Sequence, residues 1–315
     1  MSDSMKRNME RKKTIKKKIS GSDRAFVSFN YLFLIIIFII TLYPLIFVAS
    51  ASISSPAAVA SGKVILLPKD ITYQGYIYLA GYKELWIGYG NTLFYTVVGT
   101  LLNLLFTIPA AYALSRRDMA GRNVIMAIFI FTMYFSGGLI PIYLNMKSLH
   151  LLNTRAVLLL GGLVAVYNLI VSRTFFGNTI PWELHEAAQI DGASDIKTFT
   201  RIILPLSRPI LAVMTLYYGV GHWNSYFSAM IYIQDRKKFP LQLFLREVLT
   251  QSKMASEVLI EIADAEAVQA MLQLQDTANL LKYAVIIVST LPMLLIYPWL
   301  QKYFEKGVMI GSVKG

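Results

Sequence analysis

The amino-acid sequence predicts an all-α, polytopic membrane protein with six transmembrane helices, and three observations lead there. Only 15% of the 315 residues are charged, against about 25% in an ordinary soluble domain. Apolar residues make up 56% of the chain and its mean hydropathy is +0.53, more apolar surface than a globule of this size hides behind a polar exterior. Six stretches near the about 20 residues needed to cross hydrocarbon contain no Asp, Glu, Lys or Arg: 25–50, 85–115, 123–146, 156–172, 209–234 and 283–300. Core helices of a soluble all-α protein would carry charged residues along one face. These runs carry none.

The first run follows a basic start. Nine of the 30 Lys and Arg precede Phe26, among them Lys6-Arg7, Arg11-Lys12-Lys13 and Lys16-Lys17-Lys18. This start, with Val48-Ala49-Ser50-Ala51 downstream, has the outline of a secretory leader and cleavage site. The apolar run is longer than a typical leader core, however, and five further runs follow it. A retained first helix is therefore expected, its basic flank serving orientation and attraction to anionic lipid. Nucleic acid is not an expected partner despite the net charge of +12, because no aromatic residue interleaves with the basic run. Lys and Arg number nineteen in alternate connecting segments starting with the N-terminus and eleven in the others, which places both termini in the cytoplasm. The expected organisation is a basic cytoplasmic segment at 1–26, a first transmembrane helix at 27–51 and an extracytoplasmic loop at 52–91. A five-helix core at 92–300 follows, with a cytoplasmic loop at 177–209 and an extracytoplasmic segment at 233–279. A cytoplasmic tail at 301–315 completes it.

Within the third run lie Ser136-Gly137-Gly138 and Pro141, and within the last Pro292 and Pro298. Backbone groups freed at such breaks must be met by neighbouring helices or by a wet cavity, so each is either a packed kink or part of a translocation path. The absence of cysteine excludes disulfides, thiolate metal sites and cysteine nucleophiles. The three histidines, His150, His185 and His222, lack metal-ligand spacing, so no metal site is expected.

The cytoplasmic loop between the fourth and fifth runs is unlike the rest, and its residues read as a helical hairpin. Pro181 suits the first turn of a helix, where its missing N–H costs nothing, and Glu183 and Glu186 complement the N-terminal dipole. Gly192 suits the left-handed residue that ends such a helix, and either Ser194 or Asp195 can cap the next. The second helix must yield near Pro205. Ala187, Ala188 and Ala193 leave the turn with little bulk, so another protein can approach its backbone closely.

At this loop the sequence resembles a known family. Glu186-Ala187-Ala188, Asp191-Gly192-Ala193, Phe199, Ile202, Leu204-Pro205 and Pro209, with Pro181 and Glu183-Leu184 ahead of them, resemble without a gap the EAA loop of inner-membrane permeases from binding-protein-dependent ABC importers. The likeness runs from about Tyr31 to Gly315 and is nearest the maltose-type carbohydrate group. Its complex-oligosaccharide subgroup is marked by Phe135-Ser136-Gly137-Gly138-Leu139-Ile140-Pro141, Arg173-Thr174-Phe175-Phe176, Gly221-His222-Trp223-Asn224 and the closing Val313-Lys314-Gly315. The resemblance implies a multi-pass protein of the bacterial cytoplasmic membrane, paired with a second homologous permease as a heterodimer. It also implies two copies of a cytoplasmic ATPase, which binds ATP and Mg, and an extracytoplasmic solute-binding protein. The coupling residues it implies are Glu183, Glu186, Ala187, Ala188, Asp191, Gly192, Ala193, Phe199, Leu204 and Pro205. This chain lacks the GxxxxGK[ST] pattern and encloses no pair of carboxylates, so it is expected to be non-catalytic and to bind no cofactor.

Sugars are held by stacking on aromatic faces and by hydrogen bonds to amides and hydroxyls. The expected substrate path is therefore Tyr134, Tyr218, His222, Trp223, Asn224 and Tyr226, with Asn103, Tyr167, Asn168 and Tyr217 as further candidates. Interhelical hydrogen bonding is the alternative role for these polar groups. The segment 256–275 has helical periodicity and, by resemblance, reaches toward a docked binding protein. External Arg236, Lys237 and Lys238 would suit an anionic sugar or its binding protein, although seven acids share the segment 233–279; the cargo expected is a uronic-acid oligosaccharide of pectin or alginate type. The competing reading is an ion-coupled secondary transporter, which would most simply need carboxylates within the spans; the six runs contain none.

Overall fold

The computed structural model describes residues 21–258, 276, 278–296 and 298. The basic run at 6–18, the expected outer helix beyond residue 258 and the tail at 301–315 lie outside the described residues. Among the described residues the chain is helical, with one isolated bridge between Ser54 and Ile71. In chain order the helices are α1 (Gly21–Ser52), α2 (Pro56–Ala60), α3 (Gln74–Gly81), α4 (Lys83–Ser115), α5 (Arg122–Tyr134), α6 (Leu139–Ser148), α7 (Arg155–Leu160) and α8 (Val166–Thr179). They continue with α9 (Glu183–Ile190), α10 (Asp195–Thr198), α11 (Leu204–Leu206), α12 (Arg208–Trp223), α13 (Phe227–Tyr232) and α14 (Leu241–Val258), and end with α15 (Ala278–Ile296).

Three of these, α1, α4 and α15, are each long and apolar enough to cross a bilayer. Two bent pairs qualify only when taken together: α5 with α6, which meet at 114°, and the segment Asp195–Leu206 with α12, which meet at 81°. The expected span at 156–172 is divided between α7 and α8. Among the described residues there are thus three such helices, or five spans if each bent pair counts as one, and the reasons for the interruptions are local. Gly138 adopts φ +84 and turns α6 away from α5. Pro205 has no N–H to give Arg201, four residues back; a π turn at Phe199–Ile203 absorbs the mismatch, with the Leu204 amide reaching Phe199 O. At the bend, Ser207 donates its hydroxyl to Ile203 O (2.7 Å) and its amide to Leu204 O (3.1 Å).

The helix α4 organises the rest. Its buried residues Leu85, Gly88, Thr92, Tyr95, Gly99, Asn103, Thr107, Ala111 and Leu114 recur every three or four positions, and around this stripe pack α12, α8 and α14. Gly88 lets α14 come close: a Cβ there would lie 3.1 Å from Leu241 Cα. Toward its N-terminal end α4 holds the loop before α14, with Asn91 Nδ2 donating to Lys237 O (2.8 Å) and Phe239 O (3.0 Å) and Tyr95 OH donating to Lys238 O (2.8 Å). The most apolar stretch of α1 buries none of its residues against the rest of the chain. A helix apolar on every side is solvated by lipid or by another subunit.

Pro292 in α15 accounts for one more bond. It has no N–H to offer Val288 O, and the Tyr89 hydroxyl donates to that carbonyl at 2.5 Å, while Trp223 Nε1 donates to the adjacent Ser289 O at 3.1 Å. Pro292 thus lies within a continuous α15, and the carbonyl it leaves free is met by a neighbouring helix. Tyr89→Phe should therefore lower stability by about 1 kcal/mol, measured by thermal unfolding of the detergent-solubilised chain. An unchanged midpoint would show that the carbonyl needs no donor.

Candidate functional site

The hairpin forms from the expected residues. Turn hydrogen bonds begin at Pro181, with the Leu184 amide donating to Pro181 O (3.3 Å) and the His185 amide to Trp182 O (2.9 Å). The first helix ends in a Schellman turn. Gly192 sits at φ +67, its amide reaching Gln189 O (3.0 Å) while the Ala193 amide reaches Ala188 O (2.9 Å). Ser194 caps α10, its hydroxyl accepting from the Lys197 amide at 3.4 Å. This leaves the Asp195 carboxylate for another partner.

Glu183, Glu186, Ala187, Asp191, Gly192 and Pro205 face outward. Ala188 is buried, and Ala193, Phe199 and Leu204 are partly buried. Two residues the sequence reading did not single out complete the outer face: Ile190 is 86% exposed and Ile196 77% exposed, one on each arm of the turn. Their signal was present, since each is a large apolar residue among polar ones at a tight turn. Together they place two large apolar side chains on the exposed surface of the turn.

The hairpin root is aromatic inside and ionic at its edge. His185, 7% exposed, stacks on Trp182 (centroids 4.9 Å apart) and on Tyr112 of α4 (5.7 Å), and Tyr112 also meets Phe199 (4.9 Å). Neither ring nitrogen of His185 has a hydrogen-bonding partner among the described residues. Burial, aided by the nearby Arg116 charge, pushes the His185 pKa below its ordinary value. Beside it the Arg116 guanidinium binds the carboxylates of Asp118 and Asp195. The hydrogen bond from Arg116 holds the Asp118 carboxyl below its ordinary range.

The second feature is a cleft of about 510 Å³ between α4, α6, α12, α13 and the break joining α7 to α8. The break is stabilised by polar side chains. Asn103 Nδ2 donates to Gly162 O (2.8 Å) and Leu163 O (2.9 Å), and the Ala165 amide donates to the Tyr218 hydroxyl (3.2 Å). That hydroxyl lies 2.7 Å from Thr107 Oγ1, and Asn103 Oδ1 lies 2.7 Å from His222 Nε2. Gly99 makes room for the imidazole, since a Cβ there would lie 2.5 Å from it.

Of the expected substrate-path residues, Tyr218 and His222 line this cleft together with Asn103, Asn168, Tyr217 and Tyr232. The other four do not line it. Trp223 is buried against Tyr89 and α15, Asn224 turns back to Val220 O (3.0 Å), and Tyr226 lies under the Arg246 guanidinium at 5.1 Å. Tyr134 ends α5 and is exposed. Helical phase accounts for the division: Tyr218 and His222 are four residues apart and share a face, whereas Trp223 is rotated by about 100° from His222. The tyrosines beside amides and hydroxyls form a lining that can stack on and hydrogen-bond a sugar.

The lowered His185 pKa has a consequence for stability. The unfolded chain binds a proton more readily than the folded hairpin, so stability is full above the ordinary histidine value of about 6.5 and declines as pH falls below it. His185→Phe keeps an aromatic ring in the stack and removes the proton site. Its thermal midpoint should fall less than that of the unsubstituted chain as pH is lowered past about 6.5; parallel declines would refute this.

Comparison with known proteins agrees with this architecture. Residues 85–310 match the family described as binding-protein-dependent transport system inner membrane component. The chain is 41% identical over 292 residues to Protein LplC of Bacillus subtilis, covering 93% of this chain and 96% of the relative. It is 38% identical over 297 residues to the polygalacturonan/rhamnogalacturonan transport system permease protein YtcP of the same organism, covering 93% and 99%. Among solved structures, a chain from a bacterial ABC transporter involved in the import of the acidic polysaccharide alginate superposes with a TM-score of 0.79 at 38% identity, covering 90% of this chain and 98% of that one. The chain therefore belongs to the family of inner-membrane components of binding-protein-dependent transport systems.

Proposed function

We propose that this inner-membrane transport subunit pairs with a second, homologous permease to line the pathway of an ATP-driven importer for a uronic-acid oligosaccharide. In this reading two copies of a cytoplasmic ATPase bind ATP and Mg and hydrolyse the nucleotide, and a solute-binding protein delivers cargo from outside. The observation that carries the reading is the hairpin. It is a short, firmly closed projection whose turn exposes Ile190 and Ile196, while its root is stacked against α4 and continues into α12. A unit of this size buries little by itself and gains support by seating in a partner. Because it is rigid, displacing it moves the helices attached to it, as alternating access requires.

Two features support the cargo. The cleft presents Tyr217, Tyr218 and Tyr232 alongside Asn103, Asn168, Ser225, Ser228 and His222. The 3-10 turn Arg236–Lys238 follows shortly after Tyr232 and is bonded to α4 by its carbonyls. Arg236 pairs with Glu247 (2.6 Å) and Lys238 with Asp235 (3.4 Å), while Lys237 is exposed. Relatives that handle polygalacturonan, rhamnogalacturonan and alginate point to the same class of carboxylated sugar.

Gly192→Pro tests the coupling. Proline cannot adopt φ +67 and removes the amide that reaches Gln189 O. The variant should still insert in the membrane, lose uptake and no longer copurify with the ATPase; full uptake would overturn the role given to the hairpin. For the cargo, oligogalacturonates or oligoalginates should compete with labelled substrate for uptake and unrelated neutral sugars should not. The reverse pattern would overturn the uronic-acid reading while leaving the importer intact.

A further inference from the structure

The hairpin reaches the membrane part of the chain by two routes. The covalent one joins α8 through residues 180–182 at one end and at the other passes through α11 into α12 across the 81° bend at Ser207. A bend is a compliant place at which to transmit a push. The other is non-covalent and enters α4 at two places: Tyr112 stacks on His185 and meets Phe199, and at the helix end Arg116 binds Asp195.

Arg116 follows the last residue of α4 and its side chain is 14% exposed. Its guanidinium bridges Asp118, in the turn just beyond α4, and Asp195, at the start of the second hairpin helix. Two further guanidiniums hold the same end of α4 in place. Arg173 Nε donates to Leu114 O (3.0 Å) and Arg122 Nη1 to Arg116 O (2.8 Å), meeting carbonyls that a helix end leaves without partners. From this node α4 runs to Thr107 and Asn103, which hold Tyr218 and His222 at the cleft. Arg116 and Asn103 are thirteen positions apart, about 20 Å along a helix axis. Pro109 removes one hydrogen bond in that stretch, yet α4 continues through it as one helix.

The two carboxylates are not equivalent. Asp118 belongs to the segment that leaves α4, so its pairing with Arg116 is local. Asp195 belongs to the hairpin, and its side chain is 73% exposed. A pair exposed to that degree adds little to stability, and Arg116 would keep Asp118 without it. What the Asp195 bond adds to the Tyr112 stacking is an ionic connection between the second hairpin helix and the very end of α4.

We propose that Arg116 is a positioning residue that, through Asp195, fixes the hairpin to the end of α4 and so delivers hairpin movement to the Asn103–His222 wall of the cleft. This rests on the reading of the hairpin as the ATPase-coupling element. The test needs no knowledge of the cargo. The chain has no cysteine, so Ser228→Cys on the cleft wall provides a single labelling site. The rate at which a maleimide probe labels it is measured in the purified complex of both permeases and the ATPase, with and without ATP and Mg.

Nucleotide should change the labelling rate in the Ser228→Cys background. Adding Asp195→Asn should shrink that change by about twofold or more, and Asp195→Glu should restore it. Asp118→Asn should leave it intact. Arg116→Gln should match Asp195→Asn, with the double variant no worse than either. An undiminished response in Asp195→Asn, or an equal loss in Asp118→Asn, overturns the proposal. If nucleotide leaves the labelling rate of the background protein unchanged while the ATPase hydrolyses ATP, the coupling reading falls, and the proposal with it.

Discussion

A backbone amide or carbonyl released inside hydrocarbon has no water to bind, and this constraint shapes the whole chain. The sequence interrupts its helices at Gly161–Ala165 and near Pro205, and at Pro292 it takes one amide donor out of the continuous α15. Each break frees polar groups that need partners. Asn103 answers for the carbonyls of Gly162 and Leu163, and Tyr89 for that of Val288. Both donors sit on α4. A largely apolar helix that nevertheless buries Asn91, Thr92, Asn103 and Thr107 is best understood as the donor and acceptor strip against which broken helices can be packed.

The same logic explains why the hairpin is rigid while the helices near it are interrupted. In the aqueous loop, Gly192 and Ser194 close the turn with local backbone and hydroxyl bonds, and no long-range partner is needed. Between α7 and α8 no local residue can do this, so the segment is held by α4 and α12 across the cleft. Its geometry then depends on those two helices. Any shift of α12 against α4 must alter the Thr107–Tyr218 and Asn103–His222 contacts as well.

How much of this was legible in the sequence depends on whether the signal was local. Gly192, Pro205 and a cap at either Ser194 or Asp195 announced a closed hairpin because capping and proline chemistry act within a few residues; the structure selects Ser194 as the cap. The all-helical class and the apolar runs were equally plain, since charge exclusion is a property of each segment. The number of straight spans was not. A run such as 123–146 has the composition of a span, and nothing in composition says that Gly138 turns it through 114°. Spacing puts Tyr218 and His222 on one face and Trp223 on another, but it does not say which face lines the cleft and which packs against α15. That outcome depends on which face of α12 meets α4, a tertiary fact. Arg116 was hidden for the same reason, because Asp195 is 79 positions away.

The placement of charge follows from where the polar bonds can be afforded. At the cleft, the contacts joining α4 to α12 and to the α7–α8 break run between neutral amides, hydroxyls and an imidazole. These can exchange a protein partner for a sugar hydroxyl without stranding a net charge in low dielectric. The ionic contacts lie instead at the two ends of the chain's membrane part: Arg116 with Asp118 and Asp195 beside the hairpin, and Arg236 with Glu247 beside the outer turn. There water lowers the cost of holding charge, so an ion pair can join two elements with little desolvation penalty. The division leaves neutral bonds around the cleft and ion pairs beside the hairpin and beside the turn at Arg236–Lys238.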